Sequence, residues 1–312
     1  MTEFHADDYG LFPRQSQRIL DCCLNGALNG TSVMPNSPHL YACMDMLRQQ
    51  NAQLQLSVHL NLMEGRCLAP KEELPLLVDG DGIFRVSFAR LLLARLSPQK
   101  EQYRTQLKKE LHAQIRALLP YLEQEGLPLR LDGHAHWHML PIVFDALMEV
   151  LEEEKLPVRY IRIPREPLWL LARRLPAILP FHPINIVKTL LLHLLAGRNL
   201  RRHRKALAGM ERKLFLGVLF SGRFDYGKIC LLLPALEAEQ YQLIITDGPI
   251  EKDGVLCRQF VTEHLYISLP PAHPLAKKDG IYLSEMAGQT MLLFADLGIW
   301  ERLREEKMRD IR

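Results

Sequence analysis

Arg130-Leu131-Asp132-Gly133-His134-Ala135-His136-Trp137-His138 is the stretch whose reading decides the fold. It continues an apolar run that predicts a strand over Leu129–Asp132, and it places ligand-type side chains at the alternate positions Asp132, His134, His136 and His138. An extended backbone would set all four on one face. Polar side chains on the buried face of a strand need partners, and a metal ion with its surrounding hydrogen bonds would supply them.

Two other stretches have the same character: His5-Ala6-Asp7-Asp8-Tyr9-Gly10 and Ser57-Val58-His59-Leu60-Asn61-Leu62. Each joins ligand-type residues to a predicted strand, Glu3–Ala6 and Leu54–Leu62. Further strands are predicted at Gly30–Met34, Arg159–Ile163 and Leu214–Phe220. Helical patterns lie between them at Arg14–Asn25, Pro38–Gln50, Pro98–Gln124 and Leu140–Glu154. Such alternation predicts β/α units around a parallel sheet. In barrels of parallel strands the loops after the strand ends converge on one face, where chemistry is done.

Two imidazoles and a carboxylate suit zinc or another first-row divalent ion while leaving positions open for water and substrate. Adjacent Asp7 and Asp8 allow one carboxylate to bind the ion while its neighbour takes a proton.

Composition bounds the rest. Hydrophobic residues at 48% and charged residues at 24% exclude wholesale disorder and a membrane bundle. A net charge of +3 implies no nucleic-acid partner. The dense basic stretch Arg198–Lys205 reads as a solvated helix face or loop. Six cysteines without C-x-x-C spacing, and a start that reaches Asp7-Asp8 at once, predict reduced thiols, no export signal and a cytoplasmic location. Leu168–Leu195 is strongly apolar, but Pro176, Pro180, His182, Pro183 and Lys188 break it below the ~18 apolar residues of a span. It reads as a loop and a buried helix near Ile184–Leu195, so a membrane partner is not expected. A homo-oligomer stays open.

The three stretches together resemble the YdjC-like carbohydrate deacetylases over about residues 4–222. Ala6-Asp7-Asp8-Tyr9-Gly10, Val58-His59-Leu60-Asn61-Leu62 and Asp132-Gly133-His134-Ala135-His136-Trp137-His138 follow the family's motifs in order. Thr31-Ser32-Val33-Met34 with Asn36, Glu64-Gly65 and Arg162-Ile163-Pro164-Arg165-Glu166 look alike too. The resemblance implies a distorted (β/α) barrel that hydrolyses the acetamide of an N-acetylated sugar with one divalent ion, Mg²⁺ or Zn²⁺. It implies Asp7 as catalytic base and Asp8, His59 and His134 as metal ligands.

His136 and His138 are the candidate general acids. Asn61, Arg162 and Arg165 are the candidate contacts to a small carbohydrate substrate. The family's late His-Pro segment has no counterpart between Phe220 and Lys228, so the barrel is expected to lack its last units.

From Lys228 the pattern restarts. A helix is predicted at Leu231–Glu239, strands at Gln242–Thr246 and Glu263–Leu269, and helices at Leu283–Ala287 and Ile299–Arg309. Over about 229–308 this resembles a fragment of the effector-binding domain of LysR-type regulators, through Tyr241–Asp247, Glu263–Leu269 and His273–Ala276. The expected organisation is a deacetylase barrel at 1–227 and a partial LysR-like α/β segment at 228–312, packed apart and contributing no metal ligand. A ligand-sensing regulatory protein is the corresponding alternative function.

Overall fold

The computed structural model describes residues 3–168, 171, 182–221, 228, 232 and 241–244. Strands β1 (Glu3–Tyr9), β2 (Gly30–Val33), β3 (Gln55–Leu60), β4 (Leu129–Gly133) and β5 (Val158–Ile161) lie where the apolar runs predict them. Helices α1 (Pro13–Asn25), α2 (Leu40–Gln49), α3 (Phe88–Ala94), α4 (Lys100–Gln124) and α5 (Pro141–Glu153) alternate with them. α1 and α5 each open on a proline, whose missing N–H costs nothing in a first turn. In α4, Tyr103, Leu107, Leu111, Ile115, Leu118 and Leu122 recur every three or four residues and form its buried stripe. β3 is buried along both faces after Gln55, as expected of a parallel strand covered by helices on one side.

Helix α6 (Pro183–Arg202) and the short strands β6 (Leu214–Leu216) and β7 (Tyr241–Ile244) complete the described elements. One seven-stranded parallel sheet results, in the order β5-β4-β3-β2-β1-β7-β6. Its two ends touch: Tyr160 in β5 forms a parallel bridge with Glu211, three residues ahead of β6, and Glu211 N donates to Arg159 O at 2.8 Å. The sheet thus curls on itself as a barrel does.

β7 comes from beyond the boundary expected at 228, yet it pairs with both β1 and β6. The sheet therefore draws on both sides of that boundary, and β6 is not left open next to β1. A parallel strand finds its neighbours through backbone pairing at any sequence separation, which no local composition shift records. The elements expected at Glu263–Leu269, Leu283–Ala287 and Ile299–Arg309, and His264 and His273, lie outside the described residues.

α6 corrects another expectation. Ile184, Val187, Leu190 and Leu194 are exposed along one side, Leu194 by 74%, so an apolar composition did not mean a buried helix. Only Asn185, Thr189, Leu192, Leu195, Ala196 and Asn199 face inward. Substituting Leu194→Lys is expected to change unfolding free energy by less than about 0.5 kcal/mol, as for an exposed site. A urea titration showing a loss of several times that would mean the face is covered in solution. The basic stretch at its C-terminal end is not all solvated: Arg198 forks onto Asp145 of α5 at 2.5 and 2.6 Å, and His203 Nε2 donates to the same carboxylate at 2.6 Å. Among the described residues, no helix is long and apolar enough to cross a membrane.

Candidate metal centre and its surroundings

Parallel β1, β3 and β4, with β2 between β1 and β3, end at the same edge of the sheet, and their last residues bring the three sequence stretches together. Glu3, His5 and Asp7 alternate along one face of β1. Asp8 would point to the other face if the strand were regular. A register shift between Ala6 and Tyr9, with Asp8 in the left-handed region at φ 65°, turns its carboxylate towards the strand ends instead. Such backbone is costly for a non-glycine residue and persists where surrounding contacts hold it.

Asp8 Oδ1 lies 2.9 Å from His134 Nδ1 and 3.3 Å from His59 Nε2. One ligand atom from each of the three side chains falls within 4.8 Å of the others. His59 Nδ1 donates to Asp132 Oδ1 at 2.6 Å, which fixes the ring and turns Nε2 towards Asp8. His134 Nε2 is 3.5 Å from Glu64 Oε1. Imidazoles backed by carboxylates are the usual company of a bound metal.

Charge points the same way. Burial pushes the pKa of Asp8 up, but hydrogen bonds from His134 and His59 outweigh it and hold the carboxyl below its ordinary range. Burial alone would discharge His59, yet Asp132 above all, with Asp7 and Asp8, pulls its pKa up to about 10. These carboxylates thus create a place that draws positive charge. One carboxylate and two imidazoles are a donor set that a divalent ion fits.

Asp7 stays outside that triad. Arg162 Nη1 donates to its two oxygens at 2.8 and 3.0 Å, while Nη2 lies 3.0 Å from Asp132 Oδ2. His5, Asp7 and Asp132 form a second cluster of close ligand atoms, and the cation bridging its two carboxylates is the chain's own guanidinium. Burial raises the pKa of Asp7, but Arg162 foremost holds it well below the carboxylate range.

Several expected roles change with the geometry. β4 stops at Gly133, and His134–Met139 form a tight 3₁₀ turn with Ala135 and His136 at φ 47° and 61°. The alternation at 132–138 therefore does not lie on an extended backbone, and the four side chains part company. His138 is buried, with its Nε2 spent on Arg162 O at 2.8 Å, and burial pushes its pKa down to about 4. Burial, then Arg162, pushes His136 down to about 3. Both imidazoles are thus held neutral by their burial.

Asn61 is 1% exposed and both ends of its amide are used, donating to Asn36 Oδ1 and Glu64 O and accepting from Met63 N and Glu64 N. It shapes the loop that carries Glu64 and has no face left for substrate. Arg162 is fully buried on Asp7 and Asp132, whereas Arg165 is exposed. His5, Ser32 and Glu3 were not singled out for chemistry from the sequence. The polar alternation Glu3, His5, Asp7 in β1 is a signal for Glu3 and His5, but not for Ser32, which comes from β2.

Gly133 is required by His138, since a Cβ there would lie 2.6 Å from His138 Nδ1 and 2.9 Å from its Cβ. Gly133→Ala should destabilise the chain by about 1–3 kcal/mol, the usual cost of overpacking. An unchanged melting temperature would show that the histidine can leave at no cost.

The family model described as YdjC-like protein matches residues 3–249, and one described as LysR substrate binding domain matches residues 231–311. Similar proteins include a carbohydrate deacetylase of Danio rerio, 27% identical over 164 residues, which are 52% of this chain and 49% of that protein. A chitooligosaccharide deacetylase of Yersinia enterocolitica is 29% identical over 51% of this chain and 58% of its own length. A carbohydrate deacetylase of Geobacillus stearothermophilus is 29% identical over 57% and 64%. The chain thus spans about half the length of the first relatives it matches. Among solved structures, a candidate cellobiose-phosphate cleavage protein of Enterococcus faecalis superposes with a TM-score of 0.54 at 18% identity, covering 80% of this chain and 82% of that one. The architecture is shared.

Proposed function

Since the chain belongs to the YdjC-like family, we propose that it is a metal-dependent carbohydrate N-deacetylase, hydrolysing the acetamide of an N-acetylated sugar such as a chitooligosaccharide. The observation that carries this reading is the convergence of Asp8, His59 and His134 within 4.8 Å beside an Asp7 that stays out of the set. A divalent ion of the Mg²⁺ or Zn²⁺ type, held by those three residues, would polarise the acetyl carbonyl and make water a better nucleophile.

The chain's own groups do the rest. Arg162 orients Asp7 and keeps it ionised, and the Asp7 side chain is 26% exposed, so that carboxylate can receive a proton from the attacking water. Asp132 holds His59, and Glu64 stands behind His134. Asp7, once it has taken a proton from the attacking water, is the group that can pass it on to the departing amine. The two-part organisation belongs to the same proposal: the matches overlap at 231–249, where β7 lies.

Acetate release from N,N′-diacetylchitobiose tests the reading. It should stop after treatment with a chelator and return when a divalent ion is added. Release that ignores the chelator would sink the metal dependence. Sugar binding without acetate would favour the second reading, a catalytically inactive carbohydrate binder, which the missing His-Pro segment supports.

A further inference from the structure

A column of buried polar side chains runs from the start of β1 to the candidate metal centre. Glu3 accepts two bonds from Arg130 Nη2, at 2.7 and 2.8 Å, and one from Lys213 Nζ. Its Oε1 is 2.8 Å from His5 Nδ1, and His5 Nε2 is 2.6 Å from Ser32 Oγ. Ser32 Oγ is 2.5 Å from Asp132 Oδ2, whose other oxygen holds His59. Glu3, His5, Ser32 and Asp132 are all 0% exposed. Gly30 makes room for them, because a Cβ there would stand 2.6 Å from both Glu3 Oε1 and His5 Nδ1.

Donor counting gives the column a direction. Asp132 Oδ2 can only accept, so the single Ser32 hydroxyl proton must go to it. The Ser32 oxygen is then left to accept, with His5 Nε2 at 2.6 Å and Arg162 Nη2 at 3.4 Å beside it. Glu3, paired with Arg130 and Lys213, lies 2.8 Å from His5 Nδ1 and sets the rotation of that ring; both ring nitrogens donate only in the imidazolium form, which burial and Arg162 disfavour. Each bond thus fixes the next, and the last one fixes which nitrogen of His59 faces Asp8.

We propose that His5 and Ser32 are positioning residues for the metal centre, transmitting the anchorage of Glu3 through Asp132 to the His59 imidazole. The inference rests on the deacetylase reading for the identity of the centre, but its first readout is ion affinity and not turnover. Partners of this outer kind contribute roughly 10–100-fold to metal affinity.

The experiment is calorimetric titration of metal-free protein with Zn²⁺ and Mg²⁺, alongside the melting temperature of the metal-free form and acetate release. Ser32→Ala and His5→Leu should each weaken Zn²⁺ binding by about 10-fold or more. His5→Gln, whose side-chain amide can still donate to Ser32, should recover most of that loss. If Ser32→Ala fails to fold, the comparison of His5→Leu with His5→Gln decides. A drop in melting temperature with unchanged ion affinity would overturn the proposal, because it marks a purely structural role. Equal affinity of His5→Leu and His5→Gln would overturn it as well. Wild-type protein that binds ions in this column-dependent way but releases no acetate would sink the deacetylase reading and leave the inference standing. Acetate release with ion affinity indifferent to His5 and Ser32 would do the reverse, and a wild-type chain that binds neither ion would overturn both.

Discussion

Replacing Asp7 by Asn is expected to leave divalent-ion affinity close to that of the parent chain while acetate release falls by roughly 10²–10⁴-fold, the worth of a positioned general base. Asp8 Oδ1, not either oxygen of Asp7, is the carboxylate atom that meets both His59 and His134. Asn keeps the shape of Asp7 and can still accept from Arg162, but it cannot take a proton. Measuring ion affinity and turnover on the same preparation separates the two roles. If the ion is lost with the activity, Asp7 is a ligand; if activity persists, it is not the base.

Arg162→Met is expected to cost about 3–5 kcal/mol of stability, as when one partner of a buried ion pair is removed. The guanidinium lies between Asp7 and Asp132 and is itself fully buried, so its loss leaves two carboxylates facing each other without their main counter-charge. The midpoint of urea unfolding reads the effect directly. A different outcome, unchanged stability with a raised KM for sugar, would restore Arg162 to the substrate-contact role that its sequence context suggested.

That contrast shows how far the sequence carries. The strands and most helices are legible because apolar runs and helical periodicity are local signals. The three ligand-bearing stretches are legible because each sits at a predicted strand end, while the choice of Asp8, His59 and His134 among their residues comes from the family resemblance. Arg162 and Arg165 look alike in sequence, three residues apart, but one is the counter-ion of the core and the other is exposed. Only the positions of Asp7 and Asp132 in space distinguish them. The break after Gly133 was hidden because alternation of polar residues is equally compatible with a strand and with a tight turn through left-handed Ala135 and His136. Ile184–Leu195 was misjudged for a related reason: composition reports how apolar a helix is, not which side of it has something to pack against. The column beneath the centre was half visible, since Glu3, His5 and Asp7 share one face of β1, while Ser32 comes from the neighbouring strand.

The position of β7 bears on the time course of synthesis. The strand next to β1 in the barrel is the last described one to leave the ribosome, about 230 residues after it. At ~5–20 residues per second, that is a wait of roughly ten to fifty seconds. Throughout it, β1 has a partner on the β2 side alone; β6 emerges only about 25 residues before the strand that joins it to β1. The nascent chain must therefore carry an unzipped sheet through most of its translation, a state in which unpaired edges invite binding by chaperones or by other nascent chains.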